Sequence, residues 1–267
     1  MRKIKTLIQR ILYYLELLGF SPVKLVYSLR GLPFFLKDRL SLGRQMRSSG
    51  REFPFGRPYP CLEDRFTASG SARWHYFHQD LLVARRVFSR KPELHVDIGS
   101  RVDGLVAHIA SFRKIEVFDV RPLTDKIPNV EFRQADLMGA LPGAFRGYCD
   151  SLSCLHALEH FGLGRYGDPV DYDGWRKGLE NIYSILKPVG TFYFSVPIGP
   201  QRIEFNAHRV FAVEFLLKYF AAKYEVRAFS YVDDAGDLHE DVKLDAASVE
   251  AGYGCRFGCG IFELVKL

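Results

Sequence analysis

Residues 94–112 read Leu94-His95-Val96-Asp97-Ile98-Gly99-Ser100-Arg101-Val102-Asp103-Gly104-Leu105-Val106-Ala107-His108-Ile109-Ala110-Ser111-Phe112. The first five residues form a short apolar run that stops at Gly99-Ser100. Beyond it, Leu105, Val106, His108, Ile109 and Phe112 fall at helical spacing. A strand that passes through a glycine turn into a helix is the opening of a strand–helix–strand unit, and the pattern recurs downstream. Ile115-Glu116-Val117-Phe118 ends in Asp119, with Pro122 marking a loop; Val130-Glu131-Phe132 is a third strand, and Tyr148 to Leu155 a fourth. Trp175 to Leu186 has Leu179, Ile182, Tyr183 and Leu186 on one helical face, and Lys187-Pro188-Val189-Gly190 ends it. A β-prone strand follows at Thr191 to Val196, then a helix at Phe211 to Tyr219 and strands at Glu225 to Tyr231 and Gly260 to Val265. This alternation predicts an α/β fold, a mainly parallel sheet with helices on both faces.

The chain has 267 residues, 48% apolar and 25% charged, which excludes wholesale disorder, collagen and coiled coil. Five cysteines (Cys61, Cys149, Cys154, Cys255 and Cys259) include no Cys-x-x-Cys pair, so neither a disulfide framework nor a zinc ribbon is implied and a reducing cytoplasm is expected. Cys255 and Cys259 read as packing thiols. Residues 1–50 carry ten Lys/Arg against Glu16 and Asp38, leaving 27 basic against 29 acidic side chains in the rest. The basic charge therefore belongs to an N-terminal arm, and a nucleic-acid-binding body is not expected.

Within that arm, Ile4, Leu7, Ile8, Ile11, Leu12, Leu15 and Leu18 share one helical face, with Arg2, Lys3, Lys5 and Arg10 around the other. Arg10 and Glu16 interrupt any spanning run. A basic amphipathic helix of this kind lies either on an anionic membrane surface, extended by Leu32 to Leu36, or against the body of the protein. Residues 41–57, rich in Gly, Ser and Arg, read as a linker, giving an arm and linker over 1–57 and a second domain over 58–267.

In open parallel sheets, ligands bind beyond the carboxyl ends of the strands. Those ends carry Gly99, Ser100, Arg101, Asp103 and Gly104 after the first strand and Asp119 after the second. Asp136 follows the third, His156, Glu159 and His160 the fourth, and Pro197, Ile198 and Gly199 the fifth. Asp97-Ile98-Gly99-Ser100 with Gly104 resembles the glycine-rich turn of class I S-adenosylmethionine-dependent methyltransferases. Asp119 resembles their acidic residue at the end of the second strand, and Ala135-Asp136-Leu137 their adenine-contacting loop. Leu155 to Phe161 and Gly178 to Pro197 are similar to the segments after their fourth strand.

The resemblance covers residues 92–200. It implies a Rossmann-like methyltransferase sheet with an antiparallel C-terminal strand, S-adenosylmethionine as cofactor, and Asp97, Gly99, Ser100, Arg101, Gly104, Asp119 and Asp136 as the residues that bind it. Asp119 would hold the ribose hydroxyls. More narrowly, Tyr59 to Asp64, His75 to Asp80, Phe161 to Asp168 and Phe205 to Arg209 resemble an uncharacterised methyltransferase-like family associated with bacterial surface-polysaccharide biosynthesis. That likeness does not inform about the acceptor; the leading expectation is a sugar or nucleotide-sugar acceptor in glycan assembly, and the basic arm over residues 1–40 would bring the chain to the inner face of the membrane.

Arg101 and Asp103 stand where the pattern has its second and third glycines. Arg101 either hydrogen-bonds the methionine carboxylate or blocks its pocket. A methyltransferase fold kept as a membrane-docked scaffold is the alternative to an enzyme. The absence of Gly-x-Gly-x-x-Gly counts against a nicotinamide enzyme.

Methyl transfer to a hydroxyl needs a base near neutral pKa. His160 is the first candidate and His156 the second, with Glu159 beside them; a helix beginning near His156 would put both imidazoles on one face. The cluster, with Asp168 or Asp171, also has donors for a divalent metal, but its spacing is no zinc signature and no metal is assigned. The long Gly162 to Asp173 segment, dense in Gly, Asp and Tyr, reads as a substrate loop in which Tyr166, Asp168 and Tyr172 meet a sugar, or as a solvated loop. Arg202, Asn206, His208 and Arg209 form a second polar cluster, in which the arginines suit a phosphate-bearing acceptor. The other reading has His208-Arg209 open a helix. Tyr76 or His78, just ahead of the first strand, would line the cofactor pocket or pack in the core.

Overall fold

The apolar run at residue 94 forms strand β1 (His95–Ile98), buried along its whole length. In the computed structural model, which describes residues 2–48 and 53–267, the chain divides into two compact units, Met1–Ser71 and Ala72–Leu267. The division falls after Ser71, where composition alone puts it after Arg57.

The first unit holds α1 (Arg2–Leu17) and α2 (Pro22–Ser48). The expected helix over the arm is present, though the side chains of Arg2, Lys3, Ile4, Lys5, Leu7 and Ile8 lie outside the described residues. Ile11, Leu17 and Leu18 are exposed. The predicted linker is a correction, because α2 continues through residues 41–48. Helix formers separate the small residues there, and Gln45 and Arg47 bond back one turn to the Ser41 hydroxyl and the Gly43 carbonyl, at 3.4 and 3.3 Å. Residues 49–52 of that expectation lie outside the described residues.

The second unit begins with α3 (Trp74–Arg90), followed by β1, a wide turn over Val102–Val106 and the short α4 (Ala107–Ala110). The helix expected from Leu105 to Phe112 is curtailed, since Gly104 sits at φ −115°, ψ −118°, outside helical space. Then come β2 (Ile115–Asp119), β3 (Val130–Gln134), β4 (Cys149–Leu155), α5 (Gly174–Ile185) and β5 (Leu186–Ile198). The chain closes with β6 (Arg202–Glu204), β7 (His208–Val210), α6 (Val213–Phe220), β8 (Tyr224–Val232), β9 (Leu238–His239), α7 (Ala246–Glu250) and β10 (Gly258–Lys266).

Eight strands form one sheet in the order β3-β2-β1-β4-β5-β10-β8-β9. The first five are parallel, and β10 inserts between β5 and β8, antiparallel to both. Both faces are covered, which is why these strands read as continuous apolar runs. Phe192, Phe194, Phe229, Phe262 and Leu264 pack on one face, and Leu82, Leu105, Ile109, Val117 and Ile261 on the other. Each such side chain contributes about 1.5–3 kcal/mol by leaving water. Strand order reverses at β1, so the open end of the β1–β4 junction is where a crevice forms.

One expectation fails outright: His208-Arg209 opens no helix. These residues form β7, paired antiparallel with β6 around a turn in which Asn206 takes a left-handed φ of 63°. Asn accepts that conformation more easily than most residues.

Candidate active site

The turn after β1 requires glycine at two places. Gly99 has φ +72°, and a Cβ there would lie 2.9 Å from the Ala157 Cβ; a Cβ on Gly104 would lie 2.4 Å from Asp80 Oδ2. Asp97 pins the turn from within. Its buried carboxylate accepts from the Ser100 amide (3.0 Å), the Ser100 hydroxyl (2.8 Å) and the Ser153 hydroxyl. Burial pushes its pKa up to about 6, against the pull of those bonds. Asp97 therefore shapes the turn and does not line the crevice. Arg101 pairs with Asp103 (2.9 and 2.7 Å) and lines the larger of the two cavities at the strand ends.

Two adjoining cavities open at the strand ends. A small one of about 60 Å³ is lined by Gly99, Asp119, Asp136, His156, His160, Tyr166 and Asp168 among others. A larger one of about 270 Å³ is lined by Tyr76, Gln79, Asp80, Ser100, Arg101 and Arg165, and Gly99, Arg121, His156 and Tyr166 border both. The first is too small for an adenosyl group while Arg121 and Tyr166 keep their positions. Arg121 donates to both oxygens of Asp119 (Nε–Oδ1 3.0 Å, Nη2–Oδ2 2.6 Å) and stacks on Tyr166, 4.6 Å from the ring centroid. Asp136 accepts from the Met138 amide at 2.8 Å.

His156 does not begin a helix. It takes a left-handed φ of 49°, and a single turn over Leu158–His160 follows. That turn brings Glu159 between the two imidazoles, its Oε1 2.6 Å from His156 Nδ1 and 3.7 Å from His160 Nε2. The second nitrogen of His156 faces His75 Nδ1 at 3.1 Å. His160 Nδ1 donates to the Ala207 carbonyl at 2.6 Å, which leaves Nε2 as the free acceptor. Burial lowers the His160 pKa below 6.5 and that of His75 to about 4. Burial also disfavours a charged His156, but Cys259 and Glu159 outweigh it and raise that pKa. Burial lifts Asp80 to about 6.

The Gly162–Asp173 segment is held from inside. Asp168 accepts from the Gly162 amide (2.9 Å) and the Tyr166 amide (3.1 Å). The buried Arg209 donates to the Phe161 and Tyr172 carbonyls at 2.6 and 3.1 Å and, at 3.5 Å, to those of Glu159 and Asp171. Its donors are spent on the loop, so the phosphate role expected of it is not what the geometry offers. Arg202 pairs with Glu204 at 2.7 Å and donates to the Pro200 and Arg256 carbonyls. His208 pairs with Glu204 at 3.0 Å, and Asn206 lies exposed in the hairpin turn. Asp171 is drawn to Lys177 at 2.5 Å, away from the histidines. Tyr76 lines the larger cavity; His78 lines neither.

Arg121, Asp80, His75 and Cys259 are the residues that the sequence reading missed. Arg121 had a signal, a cation two residues after a strand-end acid. His75 and Asp80 lie on the helix expected near the cofactor pocket but were not singled out there, and Cys259 had no signal, because tertiary packing alone brings β10 to the crevice.

A family profile described as "Caenorhabditis protein of unknown function, DUF268" matches residues 132–249. No curated protein matches the chain. Among solved structures it is similar to 1,6-didemethyltoxoflavin-N1-methyltransferase of Burkholderia thailandensis, at 15% identity and a TM-score of 0.49, covering 70% of this chain and 78% of that one. The N-methyltransferase NodS of Bradyrhizobium japonicum WM9 aligns at 12% identity and a TM-score of 0.48, over 72% of this chain and 88% of its own. Both were crystallised with S-adenosylhomocysteine. The (4+2)-cyclase SpnF aligns at 15% identity and a TM-score of 0.47, over 74% and 88%.

Proposed function

We propose that the protein transfers a methyl group from S-adenosylmethionine to a hydroxyl of a sugar-bearing acceptor in surface-glycan assembly. The observation that carries this reading is the convergence of Gly99, Asp119 and Asp136, from three successive strand ends, on one cavity that also holds His156 and His160. Asp119 would take the ribose hydroxyls, Asp136 the adenine side, and the Gly99-Ser100 backbone the methionine end. Arg121 must first release Asp119, and its swing joins the two cavities into one crevice.

When bound, the cofactor supplies an electrophilic methyl on a sulfonium. The protein's own part is to align the acceptor and take its proton. His160 Nε2 is the group free to do so, since His156 has both nitrogens engaged, by Glu159 and His75. Glu159 then stabilises the imidazolium formed at His160. Tyr166, between the cavities and edge-on to the His160 ring at 5.5 Å, would pack against the sugar.

Calorimetric titration of the full chain with S-adenosylmethionine is expected to show micromolar binding. Asp119→Ala should weaken it at least about tenfold, one lost pair of hydrogen bonds to a charged group, while Arg121→Ala, which frees Asp119, should tighten it. His160→Ala should lower turnover about 10²–10⁴-fold with cofactor affinity unchanged. No detectable binding at millimolar cofactor overturns the enzyme and leaves the scaffold; a glycan that loses no methyl group when the gene is removed overturns the acceptor.

A further inference from the structure

Three side chains that lie far apart in sequence converge beside the crevice: His75 at the start of α3, His156 after β4 and Cys259 in β10. All three are buried, and one ring nitrogen of each histidine and the Cys259 Sγ lie within 4.8 Å of one another. Among the described residues, this is the group of ligand atoms that comes together. We propose that it binds one borderline-soft divalent transition metal, of the zinc and cobalt class, through two imidazoles and a thiolate.

The argument begins with the histidine pair. Glu159 Oε1 accepts from His156 Nδ1 at 2.6 Å, which aims the other nitrogen, Nε2, at His75 Nδ1 only 3.1 Å away. Two ring nitrogens that face each other at this distance share either one N–H hydrogen, donated by one neutral ring to the other, or a bound metal ion. The thiol decides for the metal, since imidazole with thiolate is the donor set that zinc and cobalt favour. Tetrahedral bonds of about 2.0–2.3 Å set ligand atoms about 3.3–3.7 Å apart. The nitrogens already stand near that spacing, and the thiol, now 3.6 Å from Gln79 Oε1, closes the remainder by turning toward them.

The surroundings agree with such a site. Glu159 behind His156 is the carboxylate that commonly orients a metal-bound imidazole. A dication with the Cys259 thiolate and the Glu159 carboxylate makes a buried group of zero net charge, the arrangement that burial tolerates. The backbone is strained at the places that set the two rings, with φ of 76° at Trp74 and 49° at His156. Access is available because His156 borders both crevice cavities and His75 borders a third, with Trp74, Tyr76, Asp234 and Phe257. Three protein ligands leave a fourth position for water or an acceptor oxygen. Cys259 thus becomes a ligand and not the packing thiol that its glycine-rich context suggests.

Metal uptake is read from the metal's own spectrum, so the test needs no activity. The full chain, dialysed against chelator and titrated with cobalt(II), is expected to take up one equivalent. Uptake should bring visible bands of tetrahedral intensity and a thiolate-to-cobalt band in the near ultraviolet, all displaced by zinc. Cys259→Ser should remove the near-ultraviolet band, and Glu159→Gln should weaken cobalt about 10–100-fold. X-ray absorption of the zinc-loaded wild type, which depends on no variant, should show one sulfur at about 2.3 Å beside nitrogen ligands. A shell of nitrogen and oxygen alone, or no cobalt spectrum in the wild type, overturns the proposal and leaves a proton shared between the two rings.

Discussion

Asp80 shows what a single residue reveals about this crevice. Its carboxylate is buried on α3, accepts a hydrogen bond from Gln79 at 3.2 Å and forms no ion pair among the described residues, with His108 and His156 pulling weakly against burial. Burial, the largest influence, raises its pKa from 3.8 to about 6. The folded protein then holds this proton where the unfolded chain has released it. Stability attributable to Asp80 is present below about pH 4, is lost as pH rises through about 6, and stays lost above. A shift of this size is worth about 2–3 kcal/mol. Asp80→Asn, which keeps the acceptor oxygen for Gln79, should therefore unfold at higher denaturant concentration than wild type at pH 8 and match it near pH 4. Equal midpoints at pH 8 would show that a cation or water already compensates the carboxylate. An ionisable group kept at such cost beside a cavity is a mark of a functional site. The sequence reading includes Asp80 in the family-like stretch His75 to Asp80 but gives it no role, because a carboxylate on a helix reads as ordinary surface.

At the scale of elements, the Gly162–Asp173 segment is held both by its own Asp168 and by one side chain of another element. Arg209 in β7 reaches under it and donates to carbonyls on both sides of the insertion. Hydrogen bonds from a charged donor contribute about 1.5–3 kcal/mol. Arg209→Lys keeps the charge but loses the forked geometry, so backbone amides of residues 161–173 should exchange hydrogen distinctly faster while those of β4 and β5 do not. Uniform acceleration, or none, would show that the loop is held by something else.

This element also marks the limit of what a linear reading reaches. The strands were legible because each buried one is a short apolar run with a turn after it, and the His156, Glu159 and His160 cluster because it follows such a strand. The hairpin was not, since His208-Arg209-Val210-Phe211 carries no period that separates strand from helix. The fate of Arg209 depends on carbonyls 37 to 50 positions away. The linker over 41–48 misled for the opposite reason: its composition suggests a loop, while Leu42, Gln45, Met46 and Arg47 favour a helix.

The two units differ in kind at the scale of the whole molecule. Ala72–Leu267 contains both apolar clusters of the sheet and so carries its own core. In the first unit, Gly31 is the sole buried residue among those whose burial is described, while Ile11, Tyr14, Leu17, Leu18, Phe20, Leu25 and Leu29 are exposed. No helix among the described residues is long and apolar enough to cross a membrane. We propose for these helices, which also carry Arg10, Lys24, Arg30, Lys37 and Arg39, a contact with the headgroup region of an anionic bilayer. There apolar side chains enter the interface and each cation adds about 1 kcal/mol.

On this reading the full chain should sediment with phosphatidylserine-containing vesicles at low salt and be released as ionic strength rises, whereas neutral vesicles should retain much less. A chain starting at Ala72 should stay in the supernatant while keeping the far-ultraviolet spectrum and cooperative unfolding of a folded protein. Vesicle binding that survives this deletion would move the contact to the sheet unit. A full chain that ignores anionic lipid but sediments as a dimer would give the apolar surface to a second copy instead.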